Sequence, residues 1–130
     1  MNKKGLSLLE LMVVVLLIGI LAAVSVPGIV KGQVDAAKWT EAKTAMGTIA
    51  TALRAYCVEQ ATDVTKVPEM SSVVIDPNEL NGTYFHFGDY GILSLSFTHN
   101  TGALTYTIQA LKAGMVPRRM TLNQVGVWGY

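Results

Sequence analysis

The stretch KKGLSLLELMVVVLLIGILAAVSVP, residues 3–27, decides how the chain is organised. Two lysines lead into an apolar run, and a single acid, Glu10, interrupts its first turns. As a helix, residues 6–26 would be roughly 31 Å long at 1.5 Å rise per residue, which matches the hydrocarbon core of a bilayer. From Leu11 to Val24 no side chain is polar. The run reads as one membrane span. Charge alone does not orient it, because Lys3 and Lys4 precede it while Lys31, Lys38 and Lys43 follow.

Glu10 separates the possible explanations. A cleaved secretory signal would supply the basic start, the oily centre and Ala23-Val24-Ser25 as a small-x-small cut, but no carboxylate belongs in its apolar region. An uncleaved anchor leaves the acid equally unexplained. A charge at the centre of a membrane helix costs on the order of 2.5–3.5 kcal/mol on insertion scales, and less near an end.

A third explanation gives the acid a purpose. KKG followed by LSLLE resembles the prepilin peptidase site of type IV pilins and type II secretion pseudopilins. In that family a short basic leader ends in glycine, the cut follows it, and a glutamate stands fifth after the cut. The resemblance implies a leader of residues 1–5 removed after Gly5, with Leu6 as the mature N-terminus, N-methylated. Two positions depart from the family's usual residues: Leu6 stands where phenylalanine is common, and Ser7 where threonine is. Cleavage removes Lys3 and Lys4, leaving eight basic and nine acidic side chains.

The resemblance also implies what Glu10 does. In a staggered bundle of helices, Glu10 of one subunit meets the α-amine of Leu6 on its neighbour. Such pairing adds little net stability, since desolvation opposes it, but it penalises every register except one. Gly19 and Pro27 fall where pilins weaken this helix. Pro27 lacks an N–H and clashes with the carbonyl four residues back, and glycine costs about 1 kcal/mol relative to alanine. The expected role of both is in assembly.

The remaining composition is ordinary. The 130 residues suggest one domain, with 51% hydrophobic and 15% charged residues and a formal charge of +1. No basic cluster or nucleic-acid module appears, so no nucleic-acid partner is expected. Cys57 is the lone cysteine, which excludes an internal disulfide and suits a small buried apolar filler.

After Pro27 the pattern turns amphipathic. Val34, Ala37, Ala42, Ala45, Ile49, Ala52, Leu53 and Tyr56 recur near helical spacing, predicting a helix over residues 28–60 whose C-terminal half lies on a sheet. Small residues (Ala36, Ala37, Ala42, Ala45, Gly47) permit close packing along one side. Residues 61–82, with Pro68 and Pro77, read as a long connection, which in pilins is the αβ-loop. Residues 83–130 carry strand signals: TYFHF, ILSLSFT, an HNTG turn, ALTYTIQA and RRMTLNQVG. Leu104, Tyr106, Ile108 and Ala110 should face the helix. YTIQA followed by MTLNQVG resembles the closing region of many type IV pilins, without their C-terminal disulfide.

The expected class is therefore α+β: a long N-terminal helix, membrane-spanning over residues 6–27 and amphipathic beyond, on a small antiparallel sheet of about three to four strands. No catalysis and no cofactor are expected. His86 and His99 lack metal-ligand spacing, and Asp76, Glu79 and Asp89 read better as solvated loop carboxylates than as a cation site. The resemblance implies a structural subunit of a type IV pilus, made in the bacterial inner membrane and ending in an extracellular pilus. Its partners would be further copies, minor pilins, a prepilin peptidase and N-methyltransferase, and an assembly platform with its ATPase. A periplasmic pseudopilus of type II secretion stays open as an alternative, as does a secreted or anchored binding module.

Overall fold

The computed structural model describes Gly5, residues 7–74 and residues 76–130, with residues 25–31 described as backbone alone. Helix α1 (Leu8–Glu59) runs for 52 residues without interruption. A short helix α2 (Met70–Val73) and 3₁₀ turns at Pro77–Leu80 and Phe87–Asp89 precede four strands: β1 (Tyr90–Thr98), β2 (Ala103–Leu111), β3 (Arg119–Asn123) and β4 (Trp128–Gly129). The chain divides into two units, Met1–Val34 and Asp35–Tyr130.

In the first unit every described side chain of residues 8–24 is exposed, including a dozen large aliphatic ones. Among the described residues no helix is long and apolar enough to cross a membrane. The described apolar side chains span about 26 Å as a helix, short of a full hydrocarbon core. Leu6 and the side chains of Ser25 and Val26, which lengthen the run in the sequence, lie outside the described set.

The second unit is a helix on a sheet, and the class is α+β. Its sheet has the order β1-β2-β3-β4, with every pair antiparallel. Gly102 (φ +66°), Gly114 (φ +81°) and Gly126 (φ +84°) supply left-handed backbone in the three hairpin turns. Asn123 closes the β3–β4 turn, its side-chain oxygen accepting from the Val125 and Val127 amides.

Alternation on β2 buries Tyr106, Ile108 and Ala110 and half-buries Leu104, as the pattern predicted. Opposite them α1 contributes Trp39, Ala42, Met46, Ile49, Leu53 and Cys57, at steps of three and four. Each large side chain buried here contributes about 1.5–3 kcal/mol relative to exposure. Cys57 is fully buried within this core, as the sequence suggested. Arg54 adds a polar tie, donating a 2.9 Å hydrogen bond to the Tyr106 hydroxyl.

Four sequence expectations need correction. TYFHF is not a strand: among the described residues no strand pairs with it, and its Thr83, Tyr84 and Phe85 amides bond to the Glu41 side chain on α1 instead. Val34 and Ala37 lie on the exposed side of α1, because the bulk of Trp39 and Met46 sets the buried phase. The 61–82 connection is partly ordered against the core, burying Val73, Val74 and Leu80. The C-terminal segment forms two strands rather than one.

Candidate functional site

At the start of α1, Ser7 is the N-cap: its carbonyl accepts the first helical bond, from the Leu11 amide at 3.1 Å. The Ser7 hydroxyl accepts from the Glu10 amide at 3.2 Å, and Glu10 Oε2 accepts from the Ser7 amide at 3.1 Å. This reciprocal pair is a capping box, and it places the acid where the helix dipole favours negative charge. Among the described residues nothing donates to Glu10 Oε1. The carboxylate is thus turned back toward the start of the chain with one oxygen to spare.

Gly5 is exposed, and the position a Cβ would take there has open space around it. Gly19 is likewise open and lies inside unbroken helix. The backbone of Pro27 is helical, and its side chain lies outside the described residues, as does the whole of Leu6.

The second half of α1 has an unusual exposed face. Ala36, Ala37, Thr40, Thr44, Gly47, Thr48, Thr51 and Ala55 are all exposed, small and uncharged. The four threonines turn their hydroxyls back onto the carbonyls one turn earlier, at 3.1–3.3 Å. Each polar hydrogen is therefore satisfied within the helix, so the face seeks no outside hydrogen bond. A solvated helix normally carries charge on such a face.

Glu41 ties α1 to the segment before the sheet. Its Oε1 accepts from the Tyr84 and Phe85 amides at 2.9 and 2.8 Å, and its Oε2 from the Thr83 amide at 3.1 Å. Burial opposes the charge, but the three amides and nearby His86 outweigh it and hold the carboxyl below its ordinary range. Phe85 is thereby seated in the core against Trp39, with ring centroids 4.9 Å apart.

Two of the other candidate carboxylates, Asp89 and Asp76, are occupied locally. Asp89 is no solvated carboxylate: it caps the His86 amide at 2.9 Å and pairs with Lys112 at 2.6 Å. Burial works against its charge, yet Lys112 and the His86 amide lower its pKa. Asp76 caps the Pro77–Leu80 turn, and His99 lies in the β1–β2 hairpin. Among the described residues no group of three or more His, Cys, Asp or Glu could hold a metal ion.

Residues 1–26 match the family described as the prokaryotic N-terminal methylation motif. The chain is also 42% identical over 59 residues to the type IV major pilin protein PilA of Myxococcus xanthus. Together these findings support the type IV pilin and prepilin family for this chain. The match covers 45% of the chain and 26% of the relative, so it spans about a quarter of that pilin's own length. No solved structure matches.

Of the pilin-motif residues, the structure brings Glu10 together with Ser7, and it leaves Gly5 and Gly19 open. Two features of the site were missed from the sequence. Ser7 was read only as a replacement for threonine, although S-x-x-E is itself a capping signature. Glu41 had no local signal beyond Gly82, where any Cβ would overlap the Glu41 carboxylate.

Proposed function

We propose that the chain is a structural subunit of a type IV pilus. It is made as an inner-membrane prepilin, cut after Gly5 and N-methylated at Leu6. It is then drawn into a helical fibre by an assembly platform and its ATPase, alongside further copies and minor pilins. The new α-amine at Leu6 pairs with Glu10 of the adjoining subunit, while Gly19 and Pro27 let the helix adjust as it leaves the bilayer. No catalytic step is assigned to the chain.

The observation that carries this reading is the Ser7–Glu10 box at the head of an exposed apolar helix. It supports a carboxylate that is pre-oriented toward a cation arriving at the N-terminal end. The uncharged face of α1 over residues 36–55 supports the same reading, since a fibre core would bury it. Both amine and carboxylate would otherwise be costly in an apolar core, so the pair selects register more than it adds stability.

The test is to shear surface fibres from cells expressing the full chain and identify their repeating subunit. The reading expects this chain to be the bulk of the fibre. Fibres composed of other proteins, with this chain left uncut in the membrane, would overturn it.

A further inference from the structure

Charge in the second unit is unevenly distributed along the sequence. Residues 59–81 hold five acids and one base, and residues 112–119 hold three bases and no acid. The basic segment is the β2–β3 turn. It is tied to the start of the unit, where the Val116 amide donates at 3.3 Å to Asp35, a carboxylate only 4% exposed. Lys112 is engaged by Asp89, but the exposed side chains of Arg118 and Arg119 make no ion pair or hydrogen bond among the described residues. Beside them Val116 projects an apolar tip, 72% exposed.

The acidic segment borders a groove of about 290 Å³ against the C-terminal half of α1. Ala52, Tyr56, Val73 and Val74 give it an apolar lining, and exposed Glu59 and Glu79 add two carboxylates without partners among the described residues. From Asp35 to the middle of this groove is about 19 residues of helix, or roughly 28 Å. A chain cannot close that gap on itself.

From this we propose that the β2–β3 turn of one copy docks in the acidic groove of the next, Val116 entering the apolar lining while Arg118 and Arg119 meet Glu59 and Glu79. The occupant is a second copy of this chain, chosen by charge complementarity and by the match of one apolar tip to one small apolar groove. Because the two surfaces are different and lie far apart on the same body, the contact is head-to-tail. Repetition extends past a dimer, into a filament where the rotation between copies does not close a ring. Opposite charges at a rim steer association and fix register, and salt weakens both effects. The inference rests on the fibre-subunit reading and adds to it which globular surfaces meet.

The test uses the full chain in cells carrying Ala55→Cys and Val116→Cys together, oxidised in intact membranes and in sheared material. A ladder of dimer, trimer and higher species is expected from the double variant, with no ladder from either single variant. Glu59→Arg with Glu79→Arg should cut the ladder at least tenfold, and adding Arg118→Glu with Arg119→Glu should restore it, which excludes misfolding as the cause. A product that stops at dimer, or a ladder indifferent to the charge reversals, overturns the proposal. Normal fibres with no ladder would sink this contact and leave the pilin reading intact. A ladder in membranes from a chain that never enters fibres would do the reverse.

Discussion

The Phe85 amide donates a 2.8 Å hydrogen bond to the Glu41 carboxylate, across 44 positions of sequence. This bond and its two companions fix the last irregular segment before the sheet to α1, and with it the Phe85 ring beside Trp39. Glu41→Gln keeps the shape but sets an NH₂ group against amide donors. We expect a loss of roughly 1–3 kcal/mol, the usual cost of stranding partners of a charged acceptor. Thermal unfolding of the full chain in detergent measures it.

Acid should act on the same contact. Glu41 and Asp89 both have folded pKa values below their ordinary 4.5 and 3.8. Their contribution is therefore complete above about pH 4.5 and is lost as pH falls through the folded values. Unfolding midpoints should be level near neutrality and drop below pH 4.5, with a smaller drop in Glu41→Gln. An equal drop in both proteins would remove Glu41 from the account.

Gly82 belongs to the same device. A Cβ there would overlap the Glu41 carboxylate, which three amides prevent from moving aside. Gly82→Ala should cost about as much as Glu41→Gln, and the double variant little more than either, because neighbours sharing a contact are not additive. Fully additive losses would contradict the shared contact.

The uncharged face of α1 can be tested without harming the fold. Gly47 is exposed, with open space where a Cβ would stand. Gly47→Lys should hold or raise stability by about 0.5–1 kcal/mol through helix propensity. If the face packs in a fibre core, the same variant should abolish sheared fibres. Wild-type fibre yield from a charged Gly47→Lys face would show that the face stays in solvent.

Much of this architecture could be read from the chain, and the exceptions have physical causes. Period-2 alternation placed Tyr106, Ile108 and Ala110 toward the helix, and they are buried. The helix phase was blurred by alanines, which fit either side, while the bulk of Trp39 and Met46 sets it. TYFHF alternates like a strand, yet its partner is a side chain some forty residues upstream, which no local pattern encodes. Asp35 carries no local sign of burial, because its partner, the Val116 amide, lies some eighty residues downstream. Glu10 was legible because a carboxylate in an oily run is costly enough to need a reason.

The capping box sharpens that reason. Ser7→Ala should remove one cap and weaken the first turn by about 0.5–2 kcal/mol, whereas Ser7→Thr should preserve it. Fibre yield should follow the same order, wild type close to Ser7→Thr and both above Ser7→Ala. Glu10→Ala should be cut normally and still fail to form fibres. Fibres at wild-type yield from Glu10→Ala would refute the proposed pairing.

The central claim is that Gly5 ends a leader and Leu6 begins the working subunit. Intact-mass measurement with N-terminal sequencing of the full chain, recovered from membranes and from sheared fibres, tests it most directly. The account predicts a chain beginning at Leu6 and heavier by one methyl group on its α-amine. A chain that begins at Val26, or one that retains Lys3 and Lys4, would contradict it.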